Sequence, residues 1–203
     1  MEPQPTYEYV DLGLPSGLKW ATCNVGANNP LEYGKYFAWG DTEGYYDNEE
    51  HEFSQDYKFG SYEALTKYNT DSDYGTIDNK VTLDPEDDAA HVNMGGDWRM
   101  PTEEELNELI NNTTNEWITV NGVKGRKFIN TTDSSKYIFI PASGSYYGLD
   151  NDYQGQDAYV WTSSLETTDS AKAVILSFSQ YNCKVSSVSR MIYGLCVRGV
   201  LDA

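Results

Sequence analysis

The sequence predicts a single α+β domain, in which helices lie in the middle of the chain and antiparallel strands lie at both ends. Three observations favour this class: alternating apolar and polar residues near the amino terminus, a well-marked helix start after residue 101, and four alternating runs in the last quarter. With 203 residues, the chain is long enough to bury a sizeable core. We expect antiparallel sheets, two or three helices and long loops over residues 7–203, preceded by a flexible linker or an introduced start at residues 1–6.

The composition is acidic and rich in tyrosine. The chain has 14 Lys plus Arg and 32 Asp plus Glu, which gives a formal net charge of −18. This charge disfavours nucleic acids and anionic membranes as partners, because both attract basic patches. The 17 tyrosines and 5 tryptophans suit a recognition surface, although a β-rich core also uses aromatic residues and should hold the larger share.

The three cysteines exclude two classes of small domain. Cys23, Cys183 and Cys196 are odd in number and form no C-x-x-C pair, which argues against a disulfide scaffold and against a zinc knuckle. One disulfide with one free thiol remains open, but we favour three buried thiols. No apolar run reaches membrane-spanning length, so we expect no membrane insertion. An export signal is not present in this sequence, and we expect it to have been removed ahead of residue 1.

The first seventy residues predict short strands and one long loop. Alternating residues at 7–10 and 18–22 flank the turn GLPSG, and the run YFAW at 36–39 is typical of a short buried strand. Residues 41–60 are acidic and aromatic without a period, so we expect a long surface loop there. A helical turn is expected at residues 62–68.

A cluster of acids follows this region. Asp71, Asp73, Gly75 and Asp78 are spaced like a loose calcium loop, since calcium prefers carboxylate-rich turns. The EF-hand pattern requires an acid at its twelfth position, where this chain has Thr82. The favoured interpretation is therefore an Asx-rich turn without a metal. Calcium stays an open alternative, and no other cofactor is expected.

Two helices are predicted in the middle of the chain. The first has Asp84 as its N-cap, Pro85 at its first position and Gly95 at its end, with three inward-facing residues: Ala89, Ala90 and Val92. After a short strand at 98–100, Thr102 and Glu105 form a capping box that starts the second helix. Its apolar face comprises Leu106, Leu109 and Ile110.

The remaining chain is predicted to be antiparallel. Residues 117–120 and 126–129 form a hairpin across Asn121 and Gly122. A buried strand at 137–141 and a loop at 142–157 precede a β-meander, whose strands are 158–163, 171–179, 184–188 and 195–200.

Seven stretches occur in an order that resembles one known family. They are VDLGL (10–14), KWATCNVGA (19–27), YGKYFAWG (33–40), GGDWRMPTEEE (95–105), IPASG (140–144), WTSS (161–164) and VRGV (197–200). Together they resemble the major paralogous domain of Fibrobacter and Bacteroides surface proteins over about residues 7–200. Met94, Cys196 and Gly199 depart from the family pattern, which commonly has Trp, a small polar residue and Pro there. The resemblance implies a C-type-lectin-like fold, related to formylglycine-generating-enzyme-like domains and to variable proteins of diversity-generating retroelements.

Of the functional sites known in these related folds, two are absent from this sequence and one has a matching region. The Glu-Pro-Asn or Gln-Pro-Asp and Trp-Asn-Asp motifs of calcium-dependent sugar binding are missing. Cys183 and Cys196 are too far apart for the reactive pair of the formylglycine enzymes, so that oxidase is rejected. Retroelement variable proteins display a ligand surface in their last strands. The matching region here is 158–198, with candidates Tyr159, Trp161, Tyr181, Asn182, Ser187, Arg190 and Tyr193.

The candidate site combines the 142–157 loop with the last strands. Tyrosines there could stack on a sugar or a protein surface, and the amides, Asp and Arg would supply hydrogen bonds. Trp161 is expected in the core instead, because it lies mid-strand. No catalytic residue and no metal ligand is expected. The predicted ligand-binding residues are Tyr146, Tyr147, Asn151, Asp152, Tyr153, Tyr159, Tyr181, Asn182, Arg190 and Tyr193.

The sequence and the resemblance together predict an exported, non-enzymatic recognition domain at the cell surface or attached to the outer membrane. Its partner would be a glycan or a host or bacterial surface protein, and not nucleic acid. The alternative is a structural or tip domain of a pilus or surface lipoprotein without a small ligand. An enzyme ranks third, and a closed pocket with converging carboxylates would favour it.

Overall fold

The structure is a computed structural model that describes residues 7–53 and 56–203. It corrects the predicted fold class, because it is 41% strand and 11% helix, with fourteen strands and two α-helices in the described residues. The protein has a sheet-rich fold and not the expected α+β, C-type-lectin-like fold. The two helices are short, and the predicted loop at 142–157 contains further paired strands. The predicted linker at residues 1–6 lies outside the described residues.

The strands and helices follow one another along the chain with these bounds. The first five strands are β1 (Tyr9–Asp11), β2 (Lys19–Asn24), β3 (Tyr36–Phe37), β4 (Gly60–Ser61) and β5 (Ala64–Leu65). Two 3₁₀ turns (Ser72–Tyr74 and Pro85–Asp87) precede α1 (Ala89–Met94) and α2 (Glu103–Asn112). The others are β6 (Thr113–Val120), β7 (Val123–Asn130), β8 (Tyr137–Pro141), β9 (Ser145–Tyr147), β10 (Asp150–Asp152), β11 (Asp157–Leu165), β12 (Lys172–Ser179), β13 (Cys183–Ser189) and β14 (Tyr193–Leu201).

The main sheet is organised around its last strand. Its strand order is β1-β2-β14-β11-β12-β13, and β3 and β9 also pair with β14. Strand β14 runs antiparallel to β2 and parallel to β11. The predicted meander is therefore correct for β11, β12 and β13 but wrong for the last strand, which crosses to the middle of the sheet. A separate three-stranded sheet, β6-β7-β8, contains the predicted hairpin across Asn121 and Gly122.

The main sheet is buried on both faces, which divides the core into two clusters. On β12, Ile175 belongs to one cluster, whereas Leu176 and Phe178 belong to the other. The first cluster packs against α1, and the second packs against α2 and the three-stranded sheet. Burial on both faces explains why β12 is almost continuously apolar along its length.

The second helix forms as predicted. The Thr102 hydroxyl accepts the Glu105 N–H, and the Glu105 carboxylate accepts the Thr102 N–H at 2.8 Å, so the capping box is confirmed. Leu106 and Leu109 are buried in the second cluster. Neither α-helix in the described part of the chain has the length and apolar character needed to cross a membrane.

The first helix differs from its prediction at the start. Asp84 precedes a 3₁₀ turn, and it is the Asp88 side chain that caps α1 by accepting the His91 N–H at 2.9 Å. The helix ends at Gly95 as predicted. The expectation that Val92 faces inward is wrong, because this side chain is half exposed.

Two other local predictions have opposite outcomes. The helical turn expected at residues 62–68 is wrong, because β4 and β5 form a short hairpin there. The Asx-rich turn is confirmed at Asp78, whose carboxylate accepts the backbone N–H groups of Tyr68, Asn69 and Lys80.

All three cysteines are free thiols: Cys196 is fully buried, and Cys23 and Cys183 are partly buried.

Candidate functional site

Half of the predicted site residues line one pocket. This pocket, called the tyrosine pocket below, has a volume of about 350 Å³ and is open to solvent. Its lining comprises Ser145, Tyr147, Asp152, Tyr153, Tyr159, Val188, Tyr193 and Leu195. A volume of this size is at the small end of the range for sites that bind small molecules.

Strand pairing explains why three of the tyrosines meet. Tyr147 on β9 lies directly opposite Tyr193 on β14, and the two ring centroids are 5.8 Å apart with a tilt of 49°. On the other side of β14, Val160 of β11 pairs with Cys196 in a parallel register. The residues that precede them, Tyr159 and Leu195, therefore lie beside each other. Three strands that are distant in sequence therefore present aromatic side chains to the same pocket.

The fourth tyrosine comes from the turn after β10. Tyr153 has φ +63°, a conformation that a bulky residue rarely adopts and that costs about 1 kcal/mol or more. Its carbonyl accepts the N–H groups of Gln156 and Asp157 at 2.8 and 3.0 Å, which holds the turn in place. Gly144 lies against this segment with φ +69°, and a Cβ there would be 2.3 Å from the Asp152 carbonyl oxygen.

The Tyr159 hydroxyl lies beside a negative charge. The Tyr159 hydroxyl donates a hydrogen bond to the Asp157 carboxylate at 3.2 Å. Burial, followed by the negative charge of Asp157, raises the pKa of Tyr159 to about 12, and Tyr153 and Tyr193 contribute in the same direction. Tyr159 therefore stays protonated at neutral pH and keeps Asp157 as its acceptor.

Tyr146 and Asn151 do not line the pocket but hold the β9–β10 hairpin that carries Tyr147 and Asp152. Tyr146 is buried, and its hydroxyl donates to the Asp47 carboxylate at 2.8 Å. The Asn151 amide donates to the same carboxylate at 2.8 Å and to the Tyr36 hydroxyl at 3.1 Å. Burial alone would raise the pKa of Asp47, but the hydrogen bonds from Asn151, Tyr146 and Gln154 lower it below the usual range.

The sequence interpretation missed Asp47. This residue anchors the β9–β10 hairpin from the 41–60 segment, which is nearly a hundred residues earlier in the chain. The only signal in the sequence was the acidic and aromatic character of that segment. Nothing in the local pattern distinguishes Asp47 from the other acidic residues of that segment.

Arg190 corrects the prediction of a surface hydrogen-bond donor. Its side chain is fully buried, and its Nη1 and Nη2 donate to the backbone carbonyls of Tyr68 and Lys67 at 3.0 and 3.1 Å. The guanidinium also lies 5.2 Å from the centroid of the Trp39 ring. Arg190 therefore connects the turn between β13 and β14 to the backbone of Lys67 and Tyr68, and it does not face a ligand.

The last two predicted residues lie on the turn between β12 and β13 and do not line the tyrosine pocket. Tyr181 is 89% exposed. The carbonyl of Asn182 accepts the Ser179 N–H at 3.0 Å and a guanidinium N–H of Arg126 at 3.1 Å, which is a structural contact within the turn.

An acidic cluster elsewhere is occupied by the protein's own lysine. Carboxylate oxygens of Asp84, Glu86 and Asp87 lie within 4.8 Å of one another, which is close enough for metal ligands. However, Lys67 Nζ lies 2.6 Å from both Asp84 and Asp87, and Lys58 Nζ is 2.7 Å from Asp87. Lys80 Nζ also lies 2.5 Å from Asp84, so three ammonium groups face three acids and the cluster is an internal ion-pair network.

No family model, no curated protein and no solved structure matches this chain.

Proposed function

We propose that this chain is an exported, non-enzymatic recognition domain that binds a glycan in the tyrosine pocket. The observation that carries the proposal is the convergence of four tyrosines on one open pocket from β9, β11, β14 and the turn after β10. The motifs that resemble the major paralogous domain support the exported, surface-attached part of the proposal.

The chemistry of the pocket suits a sugar ring. Tyrosine faces carry negative charge density and can pack against the C–H groups of a pyranose ring. The Asp152 carboxylate, the Ser145 hydroxyl and the phenol groups line the same space and can exchange hydrogen bonds with sugar hydroxyls. A pocket of about 350 Å³ suits one or two sugar units, whereas a flat protein partner would need roughly 800 Å² of buried surface.

The exposure of two rings also supports a binding role. Tyr147 is 54% exposed and Tyr153 is 55% exposed, so much of each aromatic surface faces solvent in the free protein. A ligand that covered these rings would gain about 25 cal/mol for each Å² of apolar surface removed from water. The unfavourable backbone conformation of Tyr153 is consistent with a side chain held in place for contact.

The first test is a screen of the purified chain on glycan and mucin arrays. We expect Tyr147→Ala and Tyr153→Ala each to lower the affinity for a retained glycan about tenfold, because each removes one stacking face. Both side chains are half exposed, so folding should be almost unchanged. The matched control is Tyr181→Ala, which removes an exposed tyrosine that lies outside the pocket and should leave binding unchanged.

Calcium should not be needed, because Asp152 is the one carboxylate among the described lining residues and calcium takes six or more oxygen ligands. Binding should therefore be the same with calcium and with a chelator. The proposal would be contradicted if the pocket variants bound as well as the parent protein, or if no glycan were retained. The second result would favour a protein partner or a structural tip domain.

A further inference from the structure

We infer that the tyrosine pocket selects glycans that carry a positively charged, trimethylated ammonium group, such as the head group of choline. This inference rests on the proposed function and names the chemical class that the same pocket selects. Aromatic cages built from several tyrosines are suited to such cations, because each ring presents its negative face to the charge.

The composition of the lining carries the first step. Four tyrosines and Asp152 line the pocket, and among the residues that the structure describes no lysine or arginine does. Asp157 does not line the pocket, but its carboxylate accepts a hydrogen bond from the hydroxyl of Tyr159, which does. A pocket with negative ring faces, nearby carboxylates and no basic lining residue favours a cation over a neutral or anionic group.

The second step compares the pocket tyrosines with the aromatic rings that contact lysine or arginine side chains elsewhere in the described residues. Eight contacts between a basic side chain and a ring occur in the described residues, and lysines cover the faces of Tyr9, Tyr46, Tyr68 and Tyr137. The closest places Lys127 Nζ at 3.8 Å from the centroid of the Tyr137 ring. None of these eight contacts involves a tyrosine of the pocket. The pocket rings therefore remain open to a cation from outside the protein.

The third step distinguishes an organic cation from a metal ion. Calcium and magnesium need six or more oxygen ligands, which ring faces do not supply. A primary ammonium would also lose strong hydration on entering an aromatic site and would need several acceptors. A quaternary, trimethylated ammonium is weakly hydrated and has no N–H group, so ring faces can replace water at little cost. The net charge of −18 further raises the local concentration of small cations.

The test compares two molecules of the same shape. Choline chloride and 3,3-dimethylbutan-1-ol differ in one atom, nitrogen or carbon, and hence in one charge. We expect calorimetric or NMR titration of the full chain to show choline binding at least tenfold tighter than the neutral alcohol. Asp152→Asn should weaken choline binding several-fold and leave the neutral alcohol unaffected, whereas Tyr181→Ala should change neither.

Phosphatidylcholine vesicles identify the source of the group. Retention of the protein on vesicles, together with choline binding, would indicate a lipid head group, and choline binding without retention would indicate a soluble or glycan-borne ammonium compound. Equal affinity for choline and the neutral alcohol, or no binding of choline, would overturn the inference. If choline fails while a neutral glycan binds and depends on Tyr153, only this inference falls. The proposed function is contradicted by a different result, namely glycan binding that Tyr147→Ala and Tyr153→Ala leave unchanged.

Discussion

At the scale of single residues, two adjacent tyrosines show how the site separates into support and surface. Tyr146 points into the protein and donates to Asp47, whereas Tyr147 points outward and stands opposite Tyr193. The difference follows from the alternation of side chains along β9. The sequence places both residues in one candidate site, but only Tyr147 can touch a ligand without displacing buried contacts.

The three thiols should differ in reactivity in the same way. Cys196 is fully buried, and burial raises its pKa to about 12, while burial raises the pKa of Cys183 to about 11. Because the thiolate is the reactive form, a raised pKa lowers reactivity at about pH 8. We expect a thiol-reactive dye to label Cys23 first, Cys183 slowly and Cys196 only after denaturation.

The pH dependence gives a second readout for the thiols. Raising the pH toward 11 should speed labelling of Cys183, since its thiolate fraction rises through that range. The control is the same titration in concentrated guanidinium, where all three thiols should react. Labelling of Cys196 in the native protein at the rate of Cys23 would contradict the prediction.

At the scale of elements, the Glu105 carboxylate at the start of α2 both caps the helix and forms a salt bridge. Glu105 accepts the Thr102 N–H and also forms a two-pronged salt bridge with Arg99, at 2.8 and 2.6 Å. Arg99 in turn forms a backbone bridge with Val200 on β14. The capping box therefore ties the helix to the central strand as well as satisfying its free N–H groups.

Substitutions at this helix start should have graded effects on stability. We expect Thr102→Ala to lower the free energy of unfolding by about 1 kcal/mol and Thr102→Ser to be nearly neutral. Glu105→Ala should cost about 2 kcal/mol, because it removes the box and the two-pronged bridge to Arg99, whose only remaining salt bridge is with Asp202. The control is Glu104→Ala on an exposed neighbour, and urea denaturation is the measurement. A loss for Glu105→Ala no larger than for Thr102→Ala would contradict this account.

At the scale of the whole molecule, the main sheet joins the two halves of the core. Strands β11, β12 and β14 each contribute residues to the cluster against α1 and to the cluster against α2. Trp161 faces the first cluster and Trp20 faces the second. Because both clusters share the same strands, neither can unfold without exposing the other.

This shared sheet predicts one cooperative unfolding transition. Tryptophan fluorescence and far-ultraviolet circular dichroism should give the same midpoint in urea, as expected for a two-state domain. Trp20→Phe and Trp161→Phe each remove one fluorescent reporter from one cluster, so the difference from the parent's signal follows that cluster. Each should lower stability without separating the two curves. Two resolved midpoints would show that the clusters unfold independently.

Much of the local structure could be predicted from local signals. The hairpin across Asn121 and Gly122 follows from two residues that favour positive φ, and Asn121 has φ +48° and Gly122 φ +87°. The cap of α2 follows from Thr102 and Glu105. The fold class was wrong because those local signals do not report how much of the remaining chain pairs into sheets.

By itself, the sequence determined the cap of α2, the hairpin turn at Asn121 and Gly122 and most of the long strands, and it identified the tyrosine-rich segments from which the pocket is built. Only the tertiary structure decided that β14 lies between β2 and β11, that Asp47 holds the β9–β10 hairpin, and that Arg190 is buried. The physical reason is that alternation tells which residues share a face of a strand, whereas the neighbour of that strand depends on contacts between distant segments.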